Sequence, residues 1–539
     1  MGTAAGAVHP HAAPRRQPAL RRALAAPLTR RAAFLALLVS VPLLPHVLAE
    51  PFDYPAIANP WVYLPLSGLF ALVLADRRGG EGTWRGRWHA IDVLAFLSLA
   101  LSLACWRAWR TWPTFLLYAL LAYLAVRMLA IAGCGRATAR GRVRSPAIPR
   151  SWLVLGIALL ATVHVAWGLE GGGRVDVGEA GVRGAHAIVS GQPLYGAQGH
   201  GSADPHLDTY GPVNYLAYMP FLAFAHGYDL ARVTTVFFDL LTALLLFLLG
   251  RRLRGPTAGT LLAFCWLAFP LTFYGDMLAF NDSILAATLA GALLVARHPA
   301  RRGLAAALAV WTKLSPVALV PLLALHDGEG ESEGEGEGGA KREGEGEGEG
   351  GRRRSARRGV LLFAAAFALV TALAFVPVLA HDGIGTFVSR TVDYQAERAP
   401  SQSLWALLQD RYALSAPWLG TLSRVAHGVL VALTGALAIA AAWAPRRRDL
   451  VGLAAMAAAI MIALVAGLGY FSFSYLLWFA PLVLVVLALD GVEPVERRTV
   501  ALQGRGARWG RSARWSQGAR WGQGARRGQG ACGSQSARR

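Results

Sequence analysis

Long apolar runs, separated by short arginine clusters, leave this chain little choice of solvent. They recur from Ala33–Leu48 and Trp61–Ala75 through Ser151–Gly168 and Leu230–Leu249 to Leu450–Gly467 and Phe471–Leu489. A helix needs about 20 apolar residues to cross a bilayer, and fewer when flanking side chains snorkel. One span per run gives ~12–14 crossings. Hydrocarbon cannot solvate irregular backbone, so the expected fold class is an all-α polytopic membrane protein.

Composition agrees. Of 539 residues 55% are hydrophobic and only 16% charged, with a mean hydropathy of +0.40, which excludes an ordinary soluble enzyme. The net charge of +21 raises the question of nucleic acid. The arginines, however, gather beside apolar runs, as in Arg251, Arg252, Arg254 and in Arg446, Arg447, Arg448. That is the positive-inside pattern rather than a continuous basic face, and no nucleic-acid partner is expected. It predicts that both termini are cytoplasmic; the plasma membrane is the expected location. Polar loops 169–228 and 381–423 then lie outside. Arg107 and Arg110, in a short outer turn, are the exception. The four cysteines are scattered without CxxC spacing, so neither a disulfide framework nor a zinc site is expected.

Five regions are expected. Residues 1–31 are a basic, disordered N-terminus, and 32–150 hold four N-terminal transmembrane helices. Residues 151–490 form the main transmembrane region, interrupted at 326–358 by a Gly/Glu-rich stretch too polar to fold alone. Residues 491–539 are a basic tail repeating Ala-Arg-Trp at 507–509, 513–515 and 519–521. The tail could lie on anionic headgroups, bind single strands, or be an expansion without a role.

The segment Glu170 to Pro220 concentrates Asp176, Glu179, His186, Asp204, His206 and Asp208 between apolar runs. Loops longer than about 15 residues are usually functional or disordered. Val213–Ala225, broken by Pro220, is expected as an interfacial helix closing this loop. Leu304–Leu325, broken by Lys313, Pro316 and Pro321, is expected as two half-crossings.

Several short segments follow in order. They are Asp176, then Gly191-Gln192-Pro193-Leu194-Tyr195, then Tyr210-Gly211-Pro212 leading to Tyr218-Met219-Pro220. Next come Thr312-Lys313-Leu314-Ser315-Pro316, Ser401-Gln402-Ser403-Leu404, and Tyr475-Leu476-Leu477-Trp478-Phe479-Ala480-Pro481. Over about 340 residues, counted through the intervening spans, this resembles the polyprenyl-phosphate-dependent GT-C glycosyltransferases. The greatest similarity is to the mannosyltransferase-like family 87. Ser401 stands where that family usually has Asn, and Ser474 where it has Gln.

The resemblance implies a GT-C-like bundle with two large outer loops. It implies transfer of a hexose, mannose by default, from a polyprenyl-phosphate-linked donor to a hydroxyl of a lipid or glycan acceptor. Transfer would occur at the outer face, with inversion and without a cofactor. Membrane lipids are the other partner.

An attacking hydroxyl must lose its proton, and a carboxylate within reach can take it. Asp176 is the candidate base. Glu179 is the reserve, or else the i+4 partner of Arg183. The leaving phosphate needs cations. Lys313 could supply one, or could pair with Asp282 or Asp239 instead. Arg390 and Arg398 could serve similarly or be solvated. Tyr195, Tyr210 and Trp405 could stack on sugars or anchor the interface, and Gln402 and Ser403 could hydrogen-bond the donor. No clustered His/Asp ligand set stands out, and no metal is expected. A secondary transporter and a non-catalytic cell-envelope scaffold are the alternatives; no internal repeat favours the former.

Overall fold

The computed structural model describes residues 27–48, 60–74, 84–106, 111–133, 148–170, 173–196, 207–326, 349–412, 416–443, 447 and 449–490. Asp204, His206, most of the Gly/Glu stretch and the repeat tail lie outside these. Among the described residues every regular element is helical, and extended backbone pairs only at an isolated bridge between Ser401 and Tyr470.

Four N-terminal helices come first: α1 (Pro27–Leu48), α2 (Pro60–Leu74), α3 (Trp84–Trp106) and α4 (Thr111–Gly133). Then follow α5 (Arg150–Glu170), α6 (Asp176–Val189), α7 (Tyr228–Arg254), α8 (Pro256–Leu267), α9 (Pro270–Met277), α10 (Asp282–Leu294) and α11 (Pro299–Thr312). The last four long elements are α12 (Glu349–Ala374), α13 (Pro417–Ala440), α14 (Leu450–Gly467) and α15 (Ala480–Leu489).

Six of these helices are long and apolar enough to cross a membrane alone, and α8 with α9, bent by 53°, makes a seventh. The protein is therefore a multi-pass membrane protein. The expectation of one full span per apolar run needs correcting. Several runs are divided into shorter pieces, because proline has no N–H and clashes with the preceding turn. Pro270 and Pro481 stand at the starts of α9 and α15. Pro316 and Pro321 open the short Ser315–Leu319 and Val320–Ala324 helices. The run around Lys313 is thus two half-length pieces, α11 and the pair after it. Val213–Ala225 is likewise two short turns, Pro212–Leu216 and Met219–Ala223, rather than one helix.

The core runs through α8, α14 and α15, which are apolar on every side and therefore buried on most of them. By contrast, α12 and α13 keep most of their apolar surface exposed, as a lipid-facing helix does. The N-terminal helices join this core. α4 packs on α14, and Phe96 of α3 stacks on Phe269 with centroids 4.5 Å apart. Asp92 is paired with Arg127 at 2.8 Å and accepts from Tyr123 at 2.7 Å.

The two polar loops meet at one end of the bundle. The Asp382 carboxylate accepts from the backbone of Leu194 at 3.0 Å and Tyr195 at 2.8 Å. Arg251 to Arg254 lie at the far end of α7, where Arg252 donates to the Leu294 carbonyl at 2.9 Å.

Candidate active site

Helix α6 sets the position of Asp176. Its inner face is built of small residues: Gly178, Ala180, Gly181, Gly184 and Ala185 are all buried. Gly181 lies on the ring of Tyr218 and Gly184 on the ring of Tyr215, so closely that a Cβ at either would overlap the ring. The helix start is held separately. Val175 N–H donates to the Tyr228 hydroxyl at 2.8 Å, and that hydroxyl lies 3.1 Å from the Leu278 carbonyl. Tyr228 thus ties the residue before Asp176 to the turn joining α9 and α10. Asp176 itself is exposed, accepts from Val177 N–H at 2.9 Å, and sits in the first turn, where the helix dipole favours a carboxylate.

Facing it is the break after α11. Lys313 leaves helical geometry with φ −142 and ψ 142. Two residues earlier, the Trp311 carbonyl lies against Gly211, which leaves no room there for a side chain. The Lys313 ammonium is 2.5 Å from Asp282 Oδ1, the residue that opens α10. The Trp478 indole N–H donates to the same oxygen. Three rings surround the ammonium, at 5.5 Å (Tyr210), 5.6 Å (Tyr475) and 5.2 Å (Trp478) from their centroids, a range in which cation–π attraction is appreciable. Asp176 is near enough to act electrostatically on Tyr210, Lys313 and Tyr475. Burial pushes the Tyr210 hydroxyl well above its ordinary pKa, and the Asp176 charge pushes it further, so the phenol remains a neutral donor.

Polar capacity is left over here. Asp282 Oδ2, Asn281 Oδ1 and Asn214 Nδ2 are buried without a hydrogen-bond partner, although Asn281 Nδ2 donates to Asn214 Oδ1 at 2.8 Å. Buried polar groups are nearly always satisfied, so three orphans in one place leave hydrogen-bonding capacity for a polar ligand or water. Ala279, with φ +53, lies in the same turn. Strain of this kind concentrates at functional sites. A second cation stands nearby: the Arg398 guanidinium lies 3.5 Å from the centroid of the Tyr470 ring and acts electrostatically on Tyr475.

The other expected residues fall elsewhere. Glu179 is paired with Arg183 on α6. Tyr195 is 2% exposed, in a cluster with Tyr215 and Phe387, and its hydroxyl donates to the Tyr210 carbonyl at 2.9 Å. Burial raises that phenol's pKa. Arg390 braces the same cluster, 3.7 Å from Asp208, which accepts from Gly196 N–H. Gln402 is exposed with φ +57. Ser403 is buried and accepts from Ala406 N–H at 3.1 Å as a helix cap. Trp405 donates to the Ala466 carbonyl at 2.8 Å. Asp176, Tyr210 and Lys313 therefore come together, while Tyr195 and Arg390 form a brace beside them.

Sequence reading passed over both Asn214 and Asn281. It weighed Asp239 as a partner for Lys313, but Asp239 lies with His164 and Asp276 in a buried cluster inside the bundle. That cluster was invisible because its members are distant in sequence.

A family model described as "Glycosyltransferase family 87" matches residues 209–468, just under half of the chain. Tyr210, Lys313, Arg390, Gln402 and Ser403 fall inside the match; Asp176, Glu179 and Tyr195 precede it. No curated protein and no solved structure matches the chain.

Proposed function

We propose, from the match of residues 209–468 to glycosyltransferase family 87, that the protein transfers a hexose from a polyprenyl-phosphate-linked donor to an acceptor hydroxyl, by inversion, at the outer face of the membrane. That match supports a glycosyltransferase with a donor and an acceptor over a transporter or a scaffold. The GT-C class, the lipid-linked donor and the choice of mannose rest on the sequence resemblance.

One observation carries the reading: an exposed carboxylate at the start of α6, Asp176, acts electrostatically on a caged ammonium, Lys313, among buried polar atoms that the protein leaves unpaired. The acceptor O–H gives its proton to the Asp176 carboxylate while its oxygen bonds to the anomeric carbon. The bond from that carbon to the phosphate oxygen breaks, and the electron pair leaves with the lipid phosphate. Lys313, shared with Asp282, and Arg398 stabilise the charge that develops on the phosphate. Cations placed beforehand in a site of low dielectric are effective at this. Asn214, Asn281 and Tyr210 supply hydrogen bonds to sugar hydroxyls. No leaving-group acid is required, because a phosphate departs as a stable anion. The exposed faces of α12 and α13 give the donor's hydrocarbon chain a path beside the site.

The test is reconstitution with a panel of polyprenyl-phosphate sugars and mass analysis of the products. Wild-type protein is expected to extend an acceptor by one hexose. Asp176→Asn is expected to lower turnover ~10²–10⁴-fold with donor binding retained. Undiminished transfer by that variant would remove Asp176 from the role of base. Transfer only from nucleotide sugars would overturn the lipid-linked donor.

A further inference from the structure

The cluster inside the bundle has a chemistry of its own. His164 on α5, Asp239 on α7 and Asp276 on α9 each direct a ligand-capable atom to one point, all within 4.8 Å of one another. Their exposures are 1%, 2% and 1%. His164 Nδ1 lies 2.6 Å from Asp276 Oδ2 and 3.4 Å from Asp239 Oδ2.

The surrounding bonds orient all three. His164 Nε2 is 2.9 Å from the Leu267 carbonyl, which can only accept, so the ring carries a proton on Nε2 and turns Nδ1 toward the carboxylates. Asp239 Oδ1 is held by the Trp266 indole N–H at 2.8 Å. Asp239 Oδ2 is buried, has no hydrogen-bond partner and points into the cluster. A histidine whose far N–H is fixed by a backbone carbonyl, beside a carboxylate, Asp239, with one oxygen tied and one presented, has the supporting shell of a metal-binding residue.

Charge points the same way. Two carboxylates carry two negative charges, and His164 is the charged neighbour that faces them, offsetting one at most. Leaving a net charge in a low-dielectric interior costs several kcal/mol. A divalent ion with a neutral imidazole cancels both charges.

We propose that His164, Asp239 and Asp276 bind one divalent first-row transition-metal ion, of the zinc or manganese class suited to one imidazole and two carboxylates. The ion is structural. It ties α5 and α7 to the end of α9, five residues before the turn delivers Asn281 and six before Asp282. The proposal does not depend on which sugar is transferred or on the role of Asp176.

The experiment uses full-length protein in detergent. After treatment with EDTA and removal of the chelator, it is incubated with Zn²⁺ or Mn²⁺, desalted and measured by elemental mass spectrometry. Wild type is expected to keep about one ion per chain and to unfold at a higher temperature than the EDTA-treated sample. His164→Leu and Asp239→Asn are expected to lose the ion ~10-fold or more, and Asp229→Asn, an exposed carboxylate, to keep it. Should a variant fail to fold, the wild-type measurement still decides. Wild type that keeps neither metal, with no shift in its unfolding temperature, overturns the proposal and leaves protons as the charge that balances the cluster.

Discussion

Lys313 shows how one side chain joins folding to chemistry. The residue is 7% exposed, and its ammonium would be untenable there without Asp282 at 2.5 Å and the three rings around it. Such a pair is weak evidence for stability when intact and strong evidence for damage when halved. Lys313→Met is expected to destabilise the protein by ~3–5 kcal/mol, since it leaves the Asp282 carboxylate buried and uncompensated. Lys313→Met with Asp282→Asn is expected to cost clearly less than the two single changes added together. Unfolding in a graded mixture of mild detergent and SDS would measure the cycle. Strict additivity would show that the two groups do not depend on each other. Glu179 is the opposite case: its partner Arg183 is part-exposed, and exposed pairs contribute little.

Helices and turns position these side chains more than the long spans do. α6 can lie against Tyr215 and Tyr218 only because glycines, Gly184 and Gly181, stand at the two points of contact. The first loop is then latched to the second by Asp382, whose two oxygens take the Leu194 and Tyr195 amides. Asp382→Ala removes both acceptors at once and leaves two buried donors exposed to exchange. Hydrogen exchange at residues 194 and 195 is expected to accelerate ~10-fold or more, equivalent to about 1.4 kcal/mol or more of lost local stability. Exchange in the first turns of α14, at its Asp449 cap, should not change. Protection unaltered at Leu194 and Tyr195 would show that another contact holds the loop. The same latch accounts for Tyr195: it is a buried brace under Tyr210, where the sequence left a sugar platform and an interfacial anchor both open.

The described helices of the bundle have two unlike ends. Asp176, Lys313, Arg398 and both long loops gather at one; Arg251, Arg252, Arg254, Arg297 and Arg301 stand at the other. If the arginine-rich end faces the cytoplasm, the site opens to the outer face. In a background with Cys105 and the other cysteines replaced by serine, Asp176→Cys is expected to react with a membrane-impermeant maleimide on intact cells. Arg301→Cys is expected to react only after permeabilisation. The reverse pattern would place the candidate site in the cytoplasm and end the outer-face reading.

Hydropathy alone settled the solvent, and with it the helix, because a backbone in hydrocarbon must satisfy itself. The spaced motifs carried the resemblance: Lys313 before Pro316 and Trp478 before Pro481 could be picked out because a proline within an apolar run removes a backbone donor and often marks a break there. What the sequence could not supply was which buried charges meet. Lys313 had Asp282, Asp239 and a phosphate as possible partners, and the fold chose Asp282. Asp239 went instead to His164 and Asp276, on two other helices. The reason is physical. A helix that is apolar on every side, such as α8 or α15, has no pattern that fixes its rotation or depth against its neighbours. Those are decided by packing and by where each apolar run breaks, and only the assembled bundle records them.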